Sequence, residues 1–547
     1  MNDKSFSVRG RIVDVVNGRI FPGTVVIDNG RIMETREEEV EDLNFILPGL
    51  VDAHIHIESS MLIPSEFARL AVIQGTVATV SDPHEIANVL GVEGIRFMIR
   101  NGKKVPFKFY FGASSCVPAT PFETAGASLG TEEIEELLRM DEIRYLSEMM
   151  NFPGVLRKDE NVMAKLALAG KYGKPVDGHA PGLRGEEARS YIEAGISTDH
   201  ECFTLEEATE KADFGMKILI REGSAARNFD ALAPLLGTHP DRVMFCSDDR
   251  HPDDLAQRHI NDIARRAILK GYDLISVIRA CTLNPKMHYK LDTGLLQPGD
   301  PADFIIIDNP ASFRVLKTYI DGKLVAEHGR TLIGPVPEVP LNNFHAHRIT
   351  ADELVVRPLG NKIRVIEALE GQLITHELAG SSIIEGDNVV SDTGNDVLKM
   401  VVINRYTPSA PAMAFIRSFG LKRGAIASTV AHDSHNIIAV GVKDEDIARA
   451  VNTLVDSKGG ICCVDGEAVY HLPLPVAGLM SASDGFEVAS KYEYIDSKAR
   501  ELGSKLHAPF MTLSFMALLV IPALKLSDKG LFDGNGFRFT SLFLDQI

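Results

Sequence analysis

From residue 50 to about residue 285 the chain repeats one unit, a short apolar run followed by a stretch of helical spacing. Parallel strands cannot be joined by a tight hairpin, so a strand followed by a crossover of a dozen or more residues is the signature of parallel pairing. Strands are expected at 50–57, 76–80, 108–111, 145–149, 175–177, 197–198, 216–220 and 242–246. Helices are expected after them, for example at 64–74, 89–101, 131–139, 185–194 and 253–269. Eight such units in roughly 240 residues suit a closed (β/α)8 TIM-like barrel. An open doubly wound sheet is the other α/β arrangement, and it is weakened because no G-x-G-x-x-G turn follows the first strand.

The flanks read differently. Residues 7–34 alternate apolar and polar and are broken by Asn17-Gly18 and Asn29-Gly30, both hairpin signals. Leu47-Pro48-Gly49 ends this unit, and β character returns after Pro285 with a further hairpin signal at Asp321-Gly322. The two flanks, 1–48 and 286–348, are expected to build one small β-sandwich domain beside the barrel at 49–285. A length of 547 residues exceeds what one core serves. Residues 349–547 are expected to form an additional C-terminal α+β domain with its own core.

Lys+Arg 57 against Asp+Glu 75 gives a net charge of −18, which repels polyanions, and no basic run compensates. Nucleic acid is therefore not an expected partner, whereas an uncharged small molecule is not excluded. The most apolar stretch, 510–524, is shorter than the ~20 residues of a membrane span and is interrupted by Thr512 and Pro522. It reads as a buried core segment, and no membrane association is expected. The N-terminal residues lack the pattern of a secretory signal. Six scattered cysteines without C-x-x-C spacing suit neither a thiolate zinc site nor a disulfide framework, and free thiols suit a reducing cytoplasm.

The chemistry concentrates at strand ends. In Val51-Asp52-Ala53-His54-Ile55-His56-Ile57-Glu58 the period of two puts Asp52, His54, His56 and Glu58 on one face. Two imidazoles at that spacing can hold one metal ion; the alternative is an ordinary pair of surface or core histidines. Glu148, His179, His200 and Asp248 end later strands, and a barrel gathers such positions at one mouth. Nitrogen and carboxylate donors without sulfur suit zinc, manganese or iron(II). Ser81-Asp82-Pro83-His84-Glu85 follows the second strand and presents polar groups at the mouth, or else caps a helix. A third cluster, Ala431-His432-Asp433-Ser434-His435-Asn436, lies in the C-terminal region. His432, Asp433 and His435 either reach the mouth or form a structural turn.

With these residues in view, the chain resembles the amidohydrolase superfamily and, within it, the adenine deaminase family. The resemblance is carried by 48–61, 82–89, 177–181, 247–252 and 431–438 and spans nearly the whole chain. The first stretch specifies only the superfamily; Glu58-Ser59-Ser60-Met61, Asp82-Pro83-His84-Glu85 and the C-terminal cluster are narrower. The resemblance implies that His54, His56, His179, His200 and Asp248 are metal ligands. Glu148 stands where many relatives bridge two ions with a carboxylated lysine, and a glutamate is already anionic. Two divalent ions, manganese or iron(II) with zinc as a further option, are thus implied.

The implied reaction is hydrolytic deamination of adenine to hypoxanthine and ammonia, by a metal-activated hydroxide attacking C6, as in purine salvage. Asp248 would move the proton, Glu201 or Glu85 would protonate the ring, and His84 would polarise or shuttle. Asp82, Ser247 and Asp249 are expected at the substrate. Barrels of this kind often pair, so a homodimer is expected. Asn404-Arg405-Tyr406-Thr407 departs from a Glu-Arg-His type sequence expected there. The competing readings are a barrel hydrolase acting on a cyclic amide such as a dihydropyrimidine, and a non-catalytic scaffold.

Overall fold

The computed structural model describes residues 5–545. Its centre is a parallel barrel of β1 (Leu50–His56), β2 (Thr76–Ser81), β3 (Lys108–Ala113), β4 (Ile143–Met149), β5 (Val176–Gly178), β6 (Thr198–Asp199), β7 (Lys217–Arg221) and β8 (Val243–Cys246). Neighbours pair in sequence from β1 to β5. A bridge between Val176 and Ile196 leads on to β6, and β6–β7 and β7–β8 follow. The ring closes where Asp248–Asp249, just beyond β8, pairs with Ile55 and His56 of β1. The eight strands expected from the sequence are these eight.

Two expected helices are each broken in two. The stretch 89–101 is His84–Leu90 followed by Val92–Gly102, divided at Gly91, whose φ of 60° ends the first helix. The stretch 253–269 is Pro252–Gln257 followed by Ile260–Leu269. The break lets the fully buried His259 reach Asp52 Oδ2 at 2.8 Å and Thr76 Oγ1 at 2.7 Å.

The flanks form one eight-stranded sheet in which Phe45–Pro48 pairs with both Ser5–Asp14 and Phe304–Ile307. The sheet folds over its own apolar face. Gly30, in the turn between Arg19–Asp28 and Arg31–Glu37, sits against Asp321, in the turn between Val315–Ile320 and Lys323–Glu327 at the other end of the sheet. A Cβ on Gly30 would lie 2.6 Å from the Asp321 carbonyl oxygen, so only glycine permits this closure. Between the layers lie Ile12, Val25, Ile27, Ile46, Phe304 and Tyr319.

The C-terminal region holds a second eight-stranded sheet, whose central strands are buried on both faces. Along Leu398–Ile403, Val401 and Ile403 pack under the helix Asp444–Ser457, while Met400 and Val402 join the core shared with the barrel. The period of two thus sends alternate residues to two different cores. Among the described residues no helix is long and apolar enough to cross a membrane.

Candidate active site

The donors expected from the sequence meet at the C-terminal end of the barrel. His54 Nε2 and His56 Nε2 are 3.2 Å apart, and Asp248 Oδ1 lies 3.6 Å from the first and 3.2 Å from the second. Glu148 sits between this trio and a second group. Its Oε1 is 3.4 Å from His56 Nε2, and its Oε2 is 2.9 Å from His179 Nδ1 and 3.3 Å from His200 Nε2. All six side chains are at least nine-tenths buried.

Strand β1 does not present four residues on one face as expected. The register slips between Asp52 and Ile55. The Asp52 carboxylate turns to the Ser247 backbone N–H and hydroxyl and to His259. Glu58 lies beyond the strand in the turn Ile57–Ser60, and its Oε1 accepts the Ile86 N–H at 3.2 Å. Ser247, expected at the substrate, is likewise turned away from the cavity. The chain turns at Asp248, whose φ of 54° is left-handed, and Asp248 and Asp249 both occupy the cavity side.

Asp82 is a support rather than part of the cavity wall. Its Oδ1 accepts the His84 N–H at 3.1 Å in the turn that leads into the helix His84–Leu90, which has no side-chain cap, while Oδ2 faces His84 Nδ1 at 3.2 Å. His84, Glu85, Glu201 and Asp249 all line the cavity. Glu201 is engaged by both terminal nitrogens of Arg221, and Arg221 Nη1 also donates to Asp248 Oδ2 at 2.6 Å. Arg221 was not picked out in the sequence, although it ends β7 as the other site residues end their strands.

The C-terminal cluster enters the site. His432 Nδ1 is 2.5 Å from Glu85 Oε1, and His435 Nε2 contacts Glu85 Oε2. Asn404-Arg405-Tyr406 stands behind this turn and does not line the cavity. Arg405 is fully buried and donates to the carbonyls of Ala477 at 2.6 Å and His435 at 3.3 Å; Tyr406 donates to the Ser434 carbonyl at 2.6 Å. The departure at 404–406 therefore serves the scaffold of the turn. The side chains that cover the site, Leu373, Phe515, Leu518 and Ile521, were not identified from the sequence, where they read as ordinary core residues.

Charge is tightly balanced here. Burial works to raise Glu148, but His179 and His200 outweigh it and hold the carboxylate well below its ordinary range. Burial likewise works to raise Asp248, and Arg221, His54 and His56 hold it well below. For Glu85, burial is outweighed by His432, His84 and His435. His432 moves the other way: burial would lower it, yet Glu85 and Asp249 carry it up to about 9.

The donor set fits a divalent metal. His56 Nδ1 faces the Asp82 carbonyl at 3.2 Å; donating there leaves the Nε2 lone pair turned to the cluster, as in metal-bound histidines. His54 Nδ1 and His84 Nδ1 are buried without a hydrogen-bond partner. Trios such as His54, His56 and Asp248, or His54, Glu148 and His200, converge closely enough to hold an ion. Neighbouring donors at 2.9–3.6 Å match the edges of a coordination shell with bonds of about 2.0–2.2 Å.

A closed parallel barrel with imidazoles and carboxylates gathered at its C-terminal mouth defines a metal-dependent barrel hydrolase, and residues 45–325 match the model of the amidohydrolase family. Residues 372–538 match that of the adenine deaminase C-terminal domain. The chain is 56% identical to an adenine deaminase of Sulfurovum sp. over 97% of its own length and 98% of the relative's. Against the adenine deaminases of Methanosarcina mazei and Borreliella burgdorferi it is 54% and 47% identical, covering 98% of this chain and 99% of each relative. The chain belongs to the adenine deaminase family.

Proposed function

We propose that the chain hydrolyses adenine to hypoxanthine and ammonia. The observation that carries this reading is Glu148. A carboxylate between the His54–His56–Asp248 trio and the His179–His200 pair would suit a site for two ions, and it stands where other barrel hydrolases carry a modified lysine. The family membership supplies the substrate. His54, His56, Glu148, His179, His200 and Asp248 would hold the ions, and manganese or iron(II) suits this nitrogen and oxygen set, with zinc as a further option. Bound there, a divalent ion supplies a water acidified from about 15.7 to about 7 in favourable sites.

The protein's own groups handle protons and position. Asp248 Oδ1 faces His54 Nε2 and His56 Nε2, while Oδ2 is fixed by Arg221; so oriented at the ion site, the carboxylate would take the attacking water's proton and return it to the leaving amine. When His54 and His56 serve as neutral ligands they no longer carry positive charge, and Arg221 remains as the fixed cation beside Asp248. Addition at C6 needs a proton on a ring nitrogen. Glu85 is better disposed than Glu201, whose two oxygens meet Arg221. Glu85 contacts His432 and His435, and His432 is the proton reservoir of the pair. Asp249 accepts the Ser59 hydroxyl at 2.5 Å and stands at the cavity wall beside His432 as a further polar contact for the base. The six buried cysteines, none in a disulfide, suit a reducing cytoplasm.

The test is direct: purified full-length chain, grown with manganese, is incubated with adenine, and hypoxanthine and ammonia are measured. Stoichiometric formation of both is expected. Cleavage of a dihydropyrimidine with adenine left intact would replace this reading.

A further inference from the structure

The site is roofed by side chains from outside the barrel. Leu373, Phe515, Leu518 and Ile521 cover it, each at most 5% exposed. Phe515 stacks on His432 with ring centroids 4.4 Å apart and planes 19° apart. Beneath the roof the cavity volume is about 20 Å³, room for about one water molecule. A purine cannot enter such a space unless the roof moves.

The roof is packed through its side chains, with Phe515, Met516, Leu518, Leu519 and Ile521 all buried, while part of its backbone lies outside regular structure. After the helix Pro509–Ser514 and the turn Phe515–Ala517, the chain between Leu518 and Ile521 belongs to no helix or sheet. Leu518 N–H reaches Phe515 O at 3.2 Å and Ile521 N–H reaches Leu518 O at 3.4 Å, both bonds within the segment itself. Few backbone bonds anchor it, so the apolar packing of its side chains is what an opening must break. One side chain ties the roof down. Lys525, fully buried in the strand Leu524–Ser527, donates from Nζ to the Leu373 carbonyl at 2.7 Å and the Phe515 carbonyl at 2.9 Å. It thereby holds the two parts of the roof in register.

We propose that segment 515–521 is a mobile roof, aligned by Lys525, that closes over one bare purine ring system and excludes purines substituted at N9. This rests on the deamination reading. C6 and N9 lie at opposite ends of the purine, so a base with C6 at the donor cluster directs N9 away from the barrel floor and towards Leu518 and Ile521. A ribose there would meet the closed roof. Leu518 and Ile521 determine specificity, and Lys525 is a positioning residue that acts through Leu373 and Phe515.

Three measurements on the manganese-loaded full chain test this. Hydrogen exchange with and without hypoxanthine should show slowed exchange in 515–523 on binding; unchanged exchange there in a protein that turns over adenine would overturn the roof. For Leu518→Ala and Ile521→Ala, the ratio of kcat/KM for 9-methyladenine to that for adenine should rise about 10-fold, the scale of one methylene in an apolar pocket. A ratio equal to wild type in both variants would overturn the specificity assignment. Lys525→Met should raise KM for adenine about 10-fold with smaller change in kcat, and Lys525→Arg should restore part of the loss; an equal fall in kcat for both variants with KM unchanged would refute the positioning role. Absence of adenine turnover by the wild type would instead count against the deamination reading.

Discussion

At the scale of residues, the site separates groups that face the cavity from groups that hold those groups. Asp248 and Ser247 are neighbours with opposite tasks. Asp248→Asn should retain the fold and lose at least ~10²-fold in kcat, the usual value of a proton-transfer group; an active variant with normal metal content would refute its assignment. Ser247→Ala removes a hydroxyl bound to buried Asp52, so it should lower Tm while leaving KM for adenine unchanged. A raised KM at normal stability would restore Ser247 to the substrate. Glu85→Gln should cost about 10²–10⁴ in kcat, because the amide cannot relay a proton from His432. Steady-state kinetics at saturating adenine checks this.

At the scale of elements, the legible part of the site is the part built by local pattern. His54 and His56 declare themselves through the period of two, and Glu148, His179, His200 and Asp248 through their places after strands. What the sequence concealed depends on contacts between distant segments. The slip between Asp52 and Ile55 is a register event that no composition signals. Leu373 and Ile521 are apolar residues like any other until the fold sets them over a cavity. Arg405 shows the same limit: it is the residue that the 404–406 stretch shares with the expected Glu-Arg-His sequence, and its task becomes intelligible only when its guanidinium is found bracing the 431–436 turn. Arg405→Met should therefore lower Tm and kcat together while metal content is unchanged, since each buried carbonyl it abandons costs about 1–3 kcal/mol.

The Glu85–His432 contact joins barrel to C-terminal region and gives that junction a pH signature. His432 is raised, so its contribution is full below an ordinary histidine value of about 6.5 and is lost as pH rises through about 9. Glu85 is lowered, so its contribution is full above about 4.5 and is lost on acidification below that. In chelated protein, Tm should fall as pH rises from 7 to 10, and His432→Gln should remove part of that slope. A slope identical in the variant would show that the pair does not stabilise the junction.

At the scale of the whole molecule, a chain of net charge −18 collects buried carboxylates at one point, with Arg221 as the fixed cation among them. That concentration of negative charge and imidazole lone pairs is stable chiefly when cations occupy it, so metal binding and folding should be linked. The three β-rich and barrel parts then have distinct tasks. The barrel supplies donors, the folded-over flank sheet closes on Gly30 and Asp321 away from the chemistry, and the C-terminal region supplies His432, His435 and the roof.

The central claim is that six side chains hold a pair of ions that make adenine deamination possible. The most direct measurement is reconstitution of chelated, metal-free protein with manganese, following bound metal and adenine turnover in the same samples. Activity should rise with occupancy and level off at about two ions per chain, and Glu148→Gln should bind less metal and stay inactive. Full turnover in protein carrying no ion, or a plateau at one ion that Glu148→Gln leaves untouched, would contradict it.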